Sequence, residues 1–279
     1  MKLSLSTNWC NRRIESGEAI AEKAIELGFD ELELGYHTTL QQAAGFRKTL
    51  DRIPVGSVHA FCPVPISAPQ GYPELYQLAS FDEEARKMAR FQILRNVAFA
   101  ADIGADAVVL HAGRVMCDAW FESWRAGRRV TRGRKMLNVF RKELESIVPE
   151  LEKRGVTLAL ENLPYFEGFP NLSELDEILG WGLGARVKGW YDTGHARVCE
   201  QCGWTKPSLP DSAHFAGMHL NDVVDKTDDH FAPGFGKVDF AALKTFAEGV
   251  GHVVFEPSPA VRQLDLVRGV ELIRKIWFE

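Results

Sequence analysis

The sequence lacks any long apolar stretch. No run among its 279 residues approaches the roughly 20 consecutive apolar residues that a membrane-spanning helix needs. The first residues, MKLSLSTNWCNRR, contain no basic segment followed by a long apolar core, which is the pattern of a secretory signal peptide. We therefore expect a cytoplasmic protein that does not insert into a membrane.

Cysteine is scarce as well. The five cysteines are odd in number and scattered, which is typical of reduced thiols and argues against a disulfide framework. Cys199 and Cys202 form a Cys-x-x-Cys pair, which could be half of a zinc site or a redox pair, but no second pair completes it. We expect these two residues to be ordinary helix cysteines.

The charge is unevenly distributed along the chain. The net charge is −5, yet the segment 114–142 holds nine basic residues and two acidic ones. A charge run of this kind is usually a solvated loop followed by the first turns of a helix, and contact with a phosphate group is the alternative interpretation. The basic residues are Arg114, Arg125, Arg128, Arg129, Arg132, Arg134, Lys135, Arg141 and Lys142.

Eight short aliphatic runs alternate with segments of helical periodicity. The runs are Leu3–Ser6, Glu31–Leu34, Val55–His59, Ala107–His111, Thr157–Glu161, Val187–Asp192, Phe215–Leu220 and Val253–Glu256. The clearest helical segments are Gly17–Leu27, Asp82–Ile103, Lys135–Arg154, Asp239–Glu248 and Leu264–Trp277. Glycines 28, 104 and 155 each follow a last apolar helical turn, where a left-handed cap suits glycine. The alternation predicts an α/β protein with one (β/α)8 TIM barrel as a single domain over residues 1–279, since such domains commonly have about 250 residues.

Three connections follow predicted strands, and the first two of them along the chain are longer than a barrel requires. Residues 61–80 contain four prolines, so we expect a stiff loop there with little helical content. The basic segment and residues 221–237 are the other two. Because all three follow strands, we expect them on the catalytic face as lids or substrate walls.

Four successive predicted strands end in a side chain that can bind a metal. They are the fifth to the eighth, and the side chains are Glu161, Asp192, His219 and Glu256. A parallel barrel builds its active site at the carboxyl ends of its strands, so these neighbours can converge on one ion. A single carboxylate at a strand end is as often a helix cap or a salt bridge, but four in succession are hard to explain in that way. Carboxylates with one imidazole suit Mn²⁺, Mg²⁺, Co²⁺ or Zn²⁺.

Five further polar groups fall on the same face of the predicted barrel. Each alone is as well explained as a hydrogen-bonded core residue. As a group they predict substrate contacts or additional metal ligands, because buried polar side chains are costly unless paired or bound. They are His59, His111, His195, Asp228 and His230.

Three bulky residues follow the first three predicted strands. Trp9, His37 and Phe61 occupy these positions. They could form a wall that keeps water from a substrate, or they could simply pack at the barrel rim.

At these motifs the chain resembles the xylose isomerase-like barrels, which include sugar and sugar-phosphate isomerases and epimerases together with apurinic-site endonucleases. GFDELELG resembles the second strand of that family, LEN at Glu161 the fifth, DTGH from Asp192 the sixth and HLND from His219 the seventh. The resemblance covers essentially the whole chain. The resemblance to the epimerases of that family implies that one divalent ion is held here by Glu161, Asp192, His219 and Glu256. It also implies that His195 binds the substrate.

The resemblance leaves two classes of enzyme open. The endonuclease relatives use a three-metal cluster whose ligand pattern can be laid over His59, His111, Glu161, Asp192, His195, His219, Asp228, His230 and Glu256. The amino-terminal third, with ELELGYHTT and the proline-rich loop, instead resembles the sugar branch, and a pI near 6.0 does not favour binding to a phosphate backbone. We predict an isomerase or epimerase of a sugar or sugar phosphate. The protein could also form homo-oligomers. A multi-zinc phosphodiesterase is the alternative, and a metal-binding barrel without catalysis is the third interpretation.

The favoured reaction needs a base and a Lewis acid. The proton on a carbon atom next to a carbonyl group is too weakly acidic to be removed without a catalyst. A divalent ion that chelates two adjacent oxygens stabilises the enediolate, while a positioned carboxylate accepts the proton. Our hypothesis assigns Glu161 and Glu256 as base and conjugate acid as well as ligands, and their roles would exchange with the direction of reaction.

Overall fold

The computed structural model describes residues 1–114, 134–225 and 230–278, in which eight parallel strands close into a barrel. The strands are β1 Ser4–Ser6, β2 Glu31–Leu34, β3 Val55–His59, β4 Ala107–Leu110, β5 Thr157–Glu161, β6 Val187–Asp192, β7 Phe215–Leu220 and β8 His252–Phe255. Strand β8 pairs in parallel with β1, with Ser4 opposite Val254, and this pairing closes the sheet. The predicted (β/α)8 barrel is confirmed, with strand ends displaced by one residue at β1, β4 and β8.

Eight α-helices lie in the described part of the chain. They are α1 Gly17–Glu26, α2 Leu40–Phe46, α3 Glu83–Ile103, α4 Arg134–Arg154, α5 Leu172–Leu179, α6 Thr193–Gln201, α7 Lys244–Glu248 and α8 Gln263–Phe278. The sequence did not reveal α2, α5 and α6, because seven to nine residues are too few for a clear 3.6-residue period. The helix predicted over Asp239–Glu248 was too long, since residues 240–243 form turns and the helix begins at Lys244.

Glycine caps end the helices at two of the positions that the sequence indicated. Gly104 has a φ of 86° and follows α3, and Gly155 has a φ of 69° and follows α4. Gly28, with a φ of 84°, stands one residue beyond the cap of α1. A left-handed backbone is strained for other residues, so each of these turns depends on glycine.

Strand alternation sorts the side chains between two environments. In β5, Leu158 and Leu160 belong to the large apolar cluster between barrel and helices, whereas Ala159 packs with Trp190 in a small cluster inside the barrel. Glu161 is two residues beyond Ala159 and therefore points inward at the carboxyl end of the strand. The same phase applies to the ends of the neighbouring strands, so the apolar cluster around Trp190 lies beneath the polar groups at the carboxyl end of the barrel.

Two loops meet at the carboxyl end of the barrel. Gly113–Arg114, directly after β4, pairs in antiparallel fashion with Gly168–Phe169, which follows β5. The proline-rich connection 61–80 is irregular, as predicted. These connections lie at the carboxyl end of the barrel, where the inward-pointing polar side chains are. They therefore form the rim around those side chains.

The longest described helices do not have the composition of membrane spans. Helices α3 and α4 each have 21 residues but carry many charged side chains. Across the described ranges, no helix combines the length and the apolar character that crossing a bilayer requires. The cytoplasmic location and the homo-oligomer stay predictions.

Candidate metal centre

The four predicted ligands meet at the carboxyl end of the barrel. Their ligand atoms all lie within 4.8 Å of one another, and all four side chains are buried. Nδ1 of His219 is 3.1 Å from Oε1 of Glu161 and 3.2 Å from Oε2 of Glu256. The same nitrogen is 3.5 Å from Oδ2 of Asp192. The side chains at the ends of four adjacent strands point into the barrel. Residues that are up to 95 positions apart in the sequence therefore lie together.

This donor set fits a divalent cation. Ligand atoms that lie about 2.0–2.2 Å from one ion are themselves roughly 3–3.6 Å apart, which matches the separations around Nδ1 of His219. Three buried carboxylates around one imidazole also concentrate negative charge where water cannot screen it, and a bound cation would offset that charge. The chemistry of the donors suits Mn²⁺, Mg²⁺, Co²⁺ or Zn²⁺.

Amide side chains fix the position of Asp192. Its Oδ1 caps helix α6 by accepting from the backbone N–H of His195 at 2.7 Å, and its Oδ2 accepts from Nδ2 of Asn221 at 2.8 Å. Asn162 binds the backbone N–H and C=O of Asp192 with its own amide, at 2.9 and 3.1 Å. Asn162 and Asn221 were not predicted as site residues, although each lies within two positions of a predicted ligand.

A second group of metal-competent side chains shares Glu161. Oε2 of Glu161 lies 3.0 Å from Nε2 of His111 and 3.2 Å from Nε2 of His59. The ligand atoms of these three buried residues also lie within 4.8 Å of one another. Glu161 therefore faces the first group with one oxygen and the second group with the other.

His195 and His230 form a third polar contact beside the first group. Their Nε2 atoms are 3.3 Å apart. Nδ1 of His195 is 2.9 Å from the carbonyl oxygen of Asn162, and Nδ1 of His230 donates to the carbonyl oxygen of Glu256 at 2.8 Å. The structure thus brings both histidines to the site. Asp228 lies outside the described residues, so its proposed place beside them stays a prediction.

The buried charges stabilise one another. Burial by itself would raise the pKa of Glu161, but the positive charges of His219 and His111 outweigh that effect and hold the pKa well below its ordinary value. Burial would lower the pKa of His219, but Glu256 and the other carboxylates around it raise the pKa well above 6.5. These neighbouring charges therefore favour the ionised form of Glu161.

Two buried carboxylates near the site were missed from the sequence. Glu33, at the end of β2, places both oxygens 3.2 Å from Nε2 of His219. Glu74, on the proline-rich loop, lies 3.7 Å from Nδ1 of His111 and accepts from Arg114 at 2.6 Å. The alternation ELEL in β2 was a usable signal, because it puts Glu33 on the inward face. No comparable pattern marks Glu74, whose position depends on the path of an irregular loop.

A small cavity opens beside Glu256. Its volume is about 190 Å³, and it is lined by Asn8, Tyr36, His230, Glu256 and residues 257–259. Asn8 donates from Nδ2 to Oε1 of Glu256 at 3.3 Å. A polar molecule in this cavity would therefore contact Glu256, which is both a candidate ligand and a candidate base.

The three bulky residues predicted as a substrate wall occupy different environments. Trp9 is buried and donates from Nε1 to the carbonyl oxygen of Val261 at 2.8 Å, and Phe61 is buried against the ring of Tyr76. His37 lies in the loop after β2 beside Arg12, and burial together with that cation lowers its pKa to about 4. All three lie outside the lining of the 190 Å³ cavity, so their contact with a substrate stays a prediction.

The basic segment is described only at its two ends, since residues 115–133 lie outside the described ranges. Arg114 bonds to Glu74 and Glu167, at 2.6 and 3.2 Å. Arg141 pairs with Glu145 on the next helical turn. These two arginines are thus engaged within the chain itself. Phosphate contact by the remaining basic residues stays the alternative interpretation.

Comparison with known proteins adds a family and a set of similar structures. The profile of the xylose isomerase-like TIM barrel family matches residues 21–275. A curated relative, an uncharacterized protein of Methanocaldococcus jannaschii, is 26% identical over 167 residues, and the match spans 60% of this chain and 60% of that relative.

Solved structures of similar proteins cover almost the whole chain. A D-tagatose 3-epimerase-like protein has a TM-score of 0.71 at 22% identity, covering 99% of this chain and 97% of its own. The 3-keto-D-glucoside 4-epimerase of E. coli has a TM-score of 0.74 at 17% identity and 99% coverage of both chains. The IolI protein with a bound zinc atom has a TM-score of 0.69 at 15% identity, covering 99% and 96%. At these identities the likeness is one of fold.

Proposed function

The chain belongs to the family of xylose isomerase-like TIM barrels, and we propose that it is a divalent-metal-dependent isomerase or epimerase of a sugar or sugar phosphate. The observation that carries the proposal is the convergence of four metal-competent side chains within 4.8 Å, beside a cavity that Asn8, Tyr36, His230 and Glu256 help to line. The epimerases among the similar structures support a sugar as the substrate class.

The proposed reaction moves a proton at a carbon next to a carbonyl group. A divalent ion, when bound to the four ligands, would polarise that carbonyl and offset the negative charge that develops on its oxygen. Glu256 is the better placed of the two candidate bases, because its carboxylate lines the cavity. Glu161 keeps both oxygens within 3.3 Å of histidine nitrogens; it would be the partner acid when Glu256 is the base, and the base when the reaction runs in reverse.

Polar groups around the cavity would orient the substrate. Asn8, Tyr36 and His230 line it, and His195 contacts His230 from behind. These side chains offer amide, hydroxyl and imidazole groups, which can pair with the several hydroxyls of a sugar. A bound sugar would thus be held by hydrogen bonds from these side chains.

Exchange of substrate protons with solvent tests the proposal. Protein loaded with Mn²⁺, Co²⁺, Mg²⁺ or Zn²⁺ is incubated in D₂O with ketoses, aldoses and their phosphates, and ¹H NMR follows loss of the signal next to the carbonyl. We expect exchange with at least one sugar, and we expect Glu256→Gln, measured with the metal ion in excess, to slow it by roughly 100-fold or more while the fold is retained.

Glu248→Gln is the matched control, because Glu248 is exposed at the end of α7. Its exchange rate should equal that of the unaltered protein. Undiminished exchange in Glu256→Gln would remove Glu256 from the catalytic role. Lack of exchange with every sugar class would contradict the proposed reaction.

A multi-metal phosphodiesterase is the second candidate, and one observation favours it. His59, His111 and Glu161 form a second metal-competent group that shares a carboxylate with the first. A cation bound there would lie next to the first one, as in enzymes that activate water and stabilise a phosphoryl group with neighbouring ions.

Metal content separates the two candidates. One exchangeable ion per chain, measured by mass spectrometry of the purified protein and by anomalous diffraction across absorption edges, supports the isomerase. About three tightly held zinc ions, together with cleavage of DNA at an abasic site, would support the phosphodiesterase instead. Since both candidate acid–base carboxylates are present, a barrel without catalysis is the least favoured interpretation.

A further inference from the structure

Glu33 lies behind the metal centre, on the side of His219 that faces away from the other ligands. Its side chain is fully buried at the end of β2. Both of its oxygens are 3.2 Å from Nε2 of His219, while Nδ1 of the same ring faces Glu161 and Glu256. The imidazole is therefore clamped between two separate sets of carboxylates, one for each ring nitrogen.

A hydroxyl group holds Glu33 in this orientation. Ser57, on the neighbouring strand β3, donates from its Oγ to Oε2 of Glu33 at 2.9 Å. Ser57 is opposite Glu33 in the register of β2 and β3, and both are buried. A buried carboxylate with a fixed donor has little freedom to turn away, so its acceptor oxygens stay directed at Nε2 of His219.

The contact decides which nitrogen of His219 carries the proton. A neutral imidazole has one N–H donor and one lone pair. A proton on Nε2 can be donated to Glu33, which leaves the lone pair of Nδ1 free for a cation. The opposite tautomer would put a lone pair against an anionic carboxylate and a proton against the cation, and both contacts are unfavourable.

We propose that Glu33 is a positioning residue of the metal centre, which holds His219 as the Nε2–H tautomer and thereby raises the affinity of the four ligands for a divalent cation. The inference rests on the proposed function, because it requires a cation at those ligands. Outer carboxylates that hydrogen-bond to a metal-binding histidine commonly change metal affinity by 10- to 100-fold.

Strand β2 supplies its own control residue. Glu31 is two positions before Glu33 on the same strand, so its side chain leaves the strand on the same face. It lies nearer the amino end of the barrel, where it bonds to Lys2 at 2.6 Å and contacts Ser4 at 3.4 Å. The substitutions Glu33→Gln and Glu31→Gln thus make the same chemical change at two depths of one strand.

Calorimetric titration with Mn²⁺ and with Zn²⁺ compares the two variants with the unaltered protein. We expect the dissociation constant to rise by about 10- to 100-fold in Glu33→Gln and to stay within about twofold in Glu31→Gln. Unchanged affinity in Glu33→Gln would overturn the positioning role while leaving the metal centre in place. Failure of the unaltered protein to bind either ion would overturn the centre itself, and this inference with it.

A second measurement needs no variant at Glu33. Nitrogen-15 NMR of the histidine rings in Zn²⁺-loaded protein reports which nitrogen carries hydrogen and which binds the metal. We expect a protonated Nε2 and a metal-bound Nδ1 for His219, whose signal is identified by its loss in His219→Asn. A protonated Nδ1 in the loaded protein would contradict the inference, even if Glu33→Gln failed to fold.

Discussion

At the scale of single residues, the site is organised around Glu161. Its two oxygens contact nitrogens of four histidines, at distances of 3.0 to 3.3 Å. A buried carboxylate would be costly to keep ionised without such partners. Because His111 and His219 belong to the same network, their protonation depends on Glu161 and its ionisation depends on them. The pH response of the protein should therefore reveal this pairing.

We expect the metal-stripped protein to lose stability as the pH rises from about 6.5 to about 9. Burial lowers the pKa of His111, but Glu161 outweighs that effect and raises the pKa from 6.5 to about 9. Between these values the folded protein keeps a proton that the unfolded chain releases, so the free energy of unfolding falls as pH increases. The stabilisation is complete below pH 6.5, and its loss is on the order of 1–3 kcal/mol.

Thermal unfolding across this pH range measures the effect. His111→Asn should flatten the fall in Tm, whereas His214→Asn, which alters an exposed histidine, should leave it unchanged. A melting temperature that is constant from pH 6.5 to 9 in the metal-stripped protein would show that His111 is not held protonated by Glu161.

At the scale of elements, the loop after β7 is organised by one carboxylate. Asp222 is buried, and its oxygens accept from four backbone amides at 2.7 to 3.0 Å. The donors are Val223, Gly234, Gly236 and Val238. A side chain on Gly236 would bring its Cβ within 2.4 Å of the carbonyl oxygen of Val223, so the turn also needs that glycine. This turn carries His230 to its contacts with Glu256 and His195.

We expect Asp222→Asn to loosen this loop. An amide has one acceptor oxygen in place of two, and its NH₂ group would face backbone donors. The expected loss of stability is about 1–3 kcal/mol, with faster hydrogen exchange at the amides of residues 234, 236 and 238.

Asp82→Asn provides the comparison for this prediction. Asp82 also accepts only from backbone amides, at the start of α3, but asparagine caps a helix about as well as aspartate. That variant should differ little from the unaltered protein. Equal exchange rates in the 234–238 segment for both variants would count against the anchoring role of Asp222.

At the scale of the whole molecule, the barrel interior holds an apolar cluster in its lower part, beneath the polar groups of the metal centre. Trp190 fills the lower part together with small and β-branched side chains from β4, β5 and β8. Gly217 leaves room for the indole ring, since a Cβ there would be 2.4 Å from it. This packing makes a floor beneath the metal centre, and the edge-on contact of Trp190 with His219 joins the two parts.

We expect Trp190→Ala to lower the free energy of unfolding by about 3–5 kcal/mol, because a closed barrel cannot collapse around the cavity that the indole leaves. Urea unfolding of metal-stripped protein measures this change. Trp204→Ala, which removes a half-buried indole that packs on Phe166 outside the barrel, should cost clearly less. Similar losses in the two variants would show that the barrel interior adapts more readily than its packing implies.

The predictable part of the site follows from rules that act along the chain. Glu161, Asp192, His219 and Glu256 were found because each ends a short apolar run, and parallel strands bring such ends to one face. Helices α2, α5 and α6 were missed because each is shorter than the window in which a helical period can be recognised. The helix predicted from Asp239 began too early because the apolar residues there pack in turns.

By itself, the sequence determined that this chain folds as a (β/α)8 barrel and that four strand ends carry metal-competent groups. Both facts depend on local periodicity and on the order of the elements. These can be recognised from short segments of the sequence taken one at a time. Only the tertiary structure decided that Glu33 faces His219, a residue 186 positions away. It also decided that Asp222 accepts hydrogen bonds from the backbone amides of the loop after β7. Such contacts depend on strand register and barrel closure, and these are set by the packing of the whole molecule.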